Sequence, residues 1–273
     1  MTIIEQFQKA KSDSREIEDG IVVTDSFAAV IDGSTSKGNF EFEGKTSGQI
    51  AMEIVSNAIT TLPDTADIDE ITNILTLALH NFYEEHQLLP MVSSHPENRP
   101  TCSIAIYSRF HHEVWLIGDT QCRIKGKTFD NPKLIDEVLS KVRADILEHL
   151  IKKGHSEDSL MQKDLGREYI LPFLREQCHF QNSVLDYPFS YAVIDGFPVA
   201  KEYIRTIDAC HADEIILASD GYPILFDTLA ETEEYLQGDL EKDPMRRLKH
   251  CSTKGVMLGN NSFDDRTFLR IKI

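Results

Sequence analysis

Apolar and polar positions along the chain follow two patterns: short runs of β-branched and aromatic residues, and longer stretches in which apolar residues recur every three or four positions. Ile21, Val22 and Val23, then the apolar run 27–31, predict two strands joined by a turn at Thr24, Asp25 and Ser26. Such a hairpin returns Glu18 and Asp19 to the side of Asp32. A first strand is expected within 1–17, and further strands at 101–109, 113–118 and 121–128, which read as a meander. Others are expected at 189–194, 203–207, 214–218 and 268–273. Helical spacing of Ile50, Ile54, Ala58 and Ile59 predicts a helix from Thr46-Ser47 to Leu62-Pro63. A second helix starts near Asp67, with Asp69 as its cap and Ile71, Leu75, Ala78, Leu79 and Phe82 as its apolar stripe. Pro90 and Pro100 bracket a loop. Asp130-Asn131-Pro132 opens the longest expected helix, apolar at Leu134, Val138, Leu139, Val142, Ile146 and Leu150, and ending at Gly154. Shorter helices are expected at 165–177, interrupted by Pro172, and at about 227–236 and 244–250. The segment 130–180 reads as a helical layer whose Lys and Glu residues form a solvated face.

Composition narrows this picture. The 273 residues suffice to bury a core without disulfide or metal staples, and the absence of repeats, low-complexity tracts and linkers predicts a single domain over 1–273. With 45 Asp and Glu against 28 Lys and Arg, the formal charge of −17 works against binding nucleic acid or an anionic membrane surface. Bound divalent ions would neutralise part of that excess. The polar start MTIIEQFQKAKSD and the lack of any apolar run of membrane length predict a cytoplasmic chain. Five widely spaced cysteines with no C-x-x-C arrangement suit reduced, buried thiols.

Chemistry concentrates where strands end. Asp32-Gly33 closes one strand, Gly118-Asp119 another, and Ser219-Asp220-Gly221 a third. Glycine after Asp32 lets the backbone turn sharply and expose its carbonyl, so Glu18, Asp19, Asp32 and that carbonyl make a site for a hard cation. Taken one at a time, each Asp-Gly reads equally as ordinary turn chemistry.

Taken in order, the motifs resemble those of the type 2C family of metal-dependent Ser/Thr protein phosphatases. The resemblance rests on Glu18-Asp19, on Phe27-Ala-Ala-Val-Ile-Asp32-Gly33, on the strands 101–106 and Trp115-Leu-Ile-Gly118-Asp119, on Asp213-Glu-Ile-Ile-Leu-Ala-Ser-Asp220-Gly221, and on Asp264-Asp265-Arg266-Thr267, where Asp265 stands in the place of the family's Asn. It is collinear over nearly the whole chain. It implies an α+β fold, a four-layer α-β-β-α sandwich of two antiparallel sheets flanked by helices. It also implies two Mn²⁺ or Mg²⁺ ions bridged by Asp32, with Asp220 and Asp264 on the first, Glu18 and the Gly33 carbonyl on the second, and Asp119 at a weaker third site. The implied reaction is hydrolysis of phosphoserine or phosphothreonine in a protein substrate by a water that the ions acidify, with no enzyme nucleophile.

The sequence departs from that pattern in three places. Ser34 stands where the family often has a His that protonates the leaving group. Arg15, which the resemblance makes the phosphate-binding residue, lies three residues before Glu18 instead of four. Ile224 replaces a second acid of the third site, for which Asp227 is the substitute. Val30, two residues before Asp32, removes the Asp-x-Asp of a haloacid-type phosphatase at that strand end, and no P-loop, H-E-x-x-H or G-x-S-x-G is present. The rival reading is a phosphatase-like domain of weak or no activity that binds a phosphoprotein or signalling partner.

Overall fold

The computed structural model describes residues 1–38, 40–185 and 187–273. Its strands are β1 (Thr2–Lys9), β2 (Asp19–Val23), β3 (Phe27–Ser34), β4 (Glu41–Phe42), β5 (Lys45–Thr46), β6 (Thr101–Ser108), β7 (Glu113–Ile117), β8 (Gln121–Ile124), β9 (Lys127–Asp130), β10 (Arg205–Asp208), β11 (Glu214–Ala218) and β12 (Arg266–Lys272). Its helices are α1 (Ser47–Ile59), α2 (Ile68–Glu85), α3 (Leu89–Ser94), α4 (Leu134–Lys152), α5 (Glu157–Gln162), α6 (Leu165–Glu176) and α7 (Leu229–Lys242). The strands form two five-stranded sheets, in the orders β1-β12-β11-β8-β9 and β10-β7-β6-β3-β2, and β4 pairs with β5 alone. All the pairings in both sheets are antiparallel.

The two-residue period of a strand sorts β3 into two faces. Phe27, Ala29 and Ile31 pack under α1 and α2 against Val55, Ile59, Leu75 and Leu79. Ala28 and Val30 point the other way, into a core shared with Cys122, Ile215, Leu217 and Leu269 of the second sheet. The outer face of that second sheet is covered by α7, through Ile216, Ala218 and Phe268 against Leu236 and Leu240. Helix, sheet, sheet and helix therefore stack as four layers, the α+β sandwich expected.

Local chemistry fixes the ends of the elements. Thr46 caps α1 in a capping box with Gln49, worth about 1 kcal/mol. Asp67, not Asp69, caps α2, because only Asp67 has the extended backbone that aims its carboxylate at the Glu70 N–H. Lys125 and Gly126 both have positive φ, which splits the expected strand 121–128 into the hairpin of β8 and β9. The meander is likewise corrected: β6 and β7 pair in one sheet, while β8 crosses to the other after Asp119.

Other corrections follow from packing. Residues 189–194 form no strand and make only isolated bridges from Tyr191 and Ile194. Residues 244–250 form turns, not a helix, and Leu89–Ser94 form α3 where a loop was expected after Pro90. Asp130 ends β9, so α4 begins after Lys133 without a side-chain cap. Its apolar residues Leu134, Val138 and Val142 face solvent; the buried face is Ile135, Leu139, Arg143, Leu147 and Leu150. Pro172 lies inside α6 without ending it.

Candidate metal centre

The β2–β3 register pairs Asp19 with Asp32. Cross-strand partners project to one face, so both acids continue the inter-sheet face of Ala28 and Val30. Glu18, one residue earlier, falls on the opposite face. There its carboxylate meets the start of α1, accepting from the Thr35 hydroxyl at 2.5 Å and from the Thr46 hydroxyl. The Gly33 N–H closes the turn on the Glu18 carbonyl at 3.2 Å. A Cβ on Gly33 would lie 2.4 Å from that carbonyl and 2.5 Å from the Gly48 carbonyl, so only glycine fits there.

Strand ends from both sheets converge beyond Asp32. Asp119 follows β7, Asp220 follows β11 and Asp264 precedes β12. Oxygens of Asp32, Asp119 and Asp220 lie within 4.8 Å of one another. The Asp220 N–H points at Asp32 Oδ2 at 3.5 Å, a direct tie between the sheets. Burial, followed by the neighbouring charges of Asp19 and Asp119, raises the Asp32 carboxyl well above its ordinary range. Asp220 is raised in the same way by burial and then by Asp32 and Asp264. Asp19 is raised by burial and by Asp265, and its Oδ2 has no hydrogen-bond partner.

Three lysines sit among these acids. Lys254 and Lys11 pair with Asp264, Lys11 at 3.5 Å. Burial would raise Asp264, but these two ammonium groups hold it down, to about 2. Lys133 meets Asp119 Oδ2 at 2.9 Å, and the Ser103 hydroxyl donates to Asp119 Oδ1 at 2.7 Å. Together they outweigh burial and keep Asp119 below its ordinary range. Both Asp119 oxygens are thus engaged by the chain itself. Lys133 was expected on a solvated face; it lies instead at the cleft because α4 starts directly above Asp119.

The expected site residues separate accordingly. Asp32, Asp119 and Asp220 come together, and Asp264 lies close enough for its charge to act on Asp32 and Asp220. Glu18 flanks them on the far side of Gly33. Asp227 is 67% exposed and pairs with Arg123 at 2.8 Å, so it does not substitute for an acid at Ile224. Arg15 is exposed at the cleft rim. Asp265, which sequence reasoning treated only as a replaced Asn, accepts the Lys11 N–H at 3.0 Å on one oxygen and the Glu18 N–H at 2.8 Å on the other.

The carboxylates form the floor of a cleft of about 1070 Å³ whose far wall is α4, α6 and the 246–257 loop. An α-β-β-α sandwich with a carboxylate cluster where its two sheets meet is the class that fold and site define. No family model and no curated protein matches the chain. Solved structures are similar to it. The serine/threonine phosphatase PstP/Ppp of Mycobacterium tuberculosis is 14% identical, with 98% of this chain and 97% of that one covered and a TM-score of 0.48. A serine/threonine phosphatase from Staphylococcus aureus is 11% identical, with 100% and 96% covered and a TM-score of 0.49. The catalytic domain of PstP, described in complex with two manganese ions, is 13% identical, with 97% and 96% covered and a TM-score of 0.46. At such identities the likeness is one of fold, and the roles of individual side chains rest on the geometry of this chain.

Proposed function

We propose that the chain is a divalent-metal-dependent phosphomonoesterase acting on phosphoserine or phosphothreonine in proteins. The observation that carries this reading is the convergence of Asp32, Asp119 and Asp220 within 4.8 Å, half-buried and close enough for their charges to act on one another. Carboxylates crowded together in this way are relieved by a shared cation, and oxygen-only donors suit Mn²⁺ or Mg²⁺. The unpartnered Oδ2 of Asp19 beside them fits the same conclusion. Asp32, Asp220 and Asp264 would hold one ion, Glu18 and the Gly33 carbonyl a second, and Asp119 a weaker third. Bound there, such ions supply a water acidified toward neutral pH and offset the charge of a phosphoryl group.

The chain's own residues do the rest. Asp32, at the sheet junction, orients the centre with respect to both sheets. Asp265 fixes the approach of Lys11 and Glu18 through their backbone N–H groups. Ser34 offers no titrating group near neutrality, so the leaving alkoxide takes its proton from solvent. Turnover of an aryl phosphate and of a phosphoserine peptide with and without Mn²⁺ tests the reading: Mn²⁺-dependent hydrolysis is expected, and absence of hydrolysis of both sinks it. The lysine pairs on Asp264 and Asp119 favour a second reading, a domain that binds a phosphoprotein without turnover because its own ammonium groups fill the cation positions. Phosphopeptide binding with no hydrolysis at any Mn²⁺ concentration would select it.

A further inference from the structure

Two cations of the cleft wall are not used by the carboxylate cluster. Unlike Lys11, Lys133 and Lys254, neither Lys37 nor Arg167 makes an ion pair among the described residues. Both are nonetheless held in place. The Lys37 ammonium donates to the Thr35 carbonyl at 3.0 Å, its backbone N–H to the Glu97 carbonyl at 3.1 Å, and its own carbonyl accepts from Arg175 Nε at 3.2 Å. Arg167 sits in the first turn of α6, where its N–H is capped by Asp164 Oδ1 at 2.8 Å. Its Nη1 donates to the Thr253 carbonyl at 2.7 Å, while Nε and Nη2 have no hydrogen-bond partner among the described residues and the side chain lines the cleft. Three separate segments, the 35–38 loop, α6 and the 252–254 loop, are thus stitched together around two cations that face one space.

Cations that line one cleft repel each other unless an anion lies between them. Burial, and then the charges of Arg167 and Lys254, lower Lys37 to about 8. Burial likewise lowers Arg167. A tetrahedral dianion has oxygens for both the ammonium and the free edge of the guanidinium, and a guanidinium fork matches phosphate. The carboxylate cluster occupies the same cleft, so an ester phosphorus seated on this pair would lie beside the proposed metal positions. Arg15, by contrast, is exposed at the rim and has no side-chain bond among the described residues that fixes its direction.

We propose that Lys37 and Arg167 form the seat of the substrate's phosphoryl group, a dianionic phosphate monoester, and that Arg15 does not; this rests on the phosphomonoesterase reading. Inorganic phosphate is the probe, titrated calorimetrically into the full chain after chelation of metal. Lys37→Met and Arg167→Met are each expected to weaken its binding about tenfold or more, as loss of a charge-assisted hydrogen bond would. Arg167→Lys should recover part of the loss. Near-ultraviolet circular dichroism checks that each variant is folded; should Arg167→Met unfold, Lys37→Met decides alone. No phosphate binding by the parent, affinity unchanged in Lys37→Met, or loss confined to Arg15→Met overturns the seat. Aryl phosphate turnover with Mn²⁺ separates the two readings. If the parent turns over and KM is unchanged in both variants, the seat is wrong and the reaction stands. If the parent does not turn over while phosphate binding still depends on Lys37, the reaction is wrong and the seat stands.

Discussion

Both oxygens of Asp265 accept backbone N–H groups, from Lys11 and from Glu18, and this division of labour gives a residue-scale reason for an acid where the type 2C motif has Asn. An amide has one acceptor oxygen; its NH₂ would face one of the two N–H donors and leave that donor unpaired inside the protein. Asp265→Asn should therefore lower the stability of the chain by about 1–3 kcal/mol, the cost of an unsatisfied buried donor. Urea unfolding at neutral pH measures it, and a change below about 0.5 kcal/mol, the range of ordinary surface substitutions, would refute this account of the two bonds. Because Glu18 is anchored by one of them, calorimetric Mn²⁺ affinity in the folded variant should fall as well.

At the scale of elements, one side chain organises the wall that faces the carboxylates. Arg143, 1% exposed in α4, reaches Asp164 at the start of α6 through Nη2 at 2.7 Å and the carbonyls of Met245 and Ser252 through Nη1 at 2.9 and 3.0 Å. Removing it strands a buried carboxylate, a loss of about 3–5 kcal/mol. Arg143→Met should show that loss in thermal unfolding and should also make the 245–254 loop susceptible to proteolysis before the rest of the chain; cleavage first elsewhere would show that the loop is held by other contacts. None of this was legible in the sequence, where Arg143 falls among charged residues of an amphipathic helix and Leu134, Val138 and Val142 suggest the wrong apolar face. Lys133, Lys254 and Lys37 escaped for the same reason, since a lysine between polar neighbours reads as solvated until tertiary structure brings acids to it. The β2–β3 hairpin was legible down to Asp19 beside Asp32, because two apolar runs separated by a short turn leave little freedom of register, whereas the placing of Glu18 on the opposite face was not. The stretch 189–194 was misread because a short apolar run can be buried by side-chain packing, as Tyr191 and Val193 are against α4 and α6, without joining a sheet.

For the whole molecule, a net charge of −17 is carried by a fold that gathers several of its acids into one partly buried cluster, so metal and pH should act on stability together. In the metal-free chain Asp19, Asp32 and Asp220 bind protons more tightly folded than unfolded. Above the ordinary carboxylate range the native state then holds more protons than the unfolded one, and stability falls as pH rises. Asp264, at about 2, and Asp119 work in the opposite sense, but only below that range. The metal-free chain is expected to melt higher at about pH 5 than at about pH 7.5, and saturating Mn²⁺ to remove most of that difference by binding the ionised cluster. A melting temperature that rises over this interval without metal would contradict the assigned shifts. The position of the cluster has a mechanical corollary. Along much of their length the facing sides of the two sheets are apolar, as at Val30 and Leu217, whereas at the cleft end Asp32 and Asp220 belong to different sheets. A cation between them would act as a rivet at one end of a pair of plates. Amide hydrogen exchange should accordingly slow on adding Mn²⁺ in a gradient, most at Ile31, Asp32, Ala218 and Ser219 and least at Phe27 and Glu214 at the far ends of the same strands; uniform slowing along β3 and β11 would mean that the sheets were already locked.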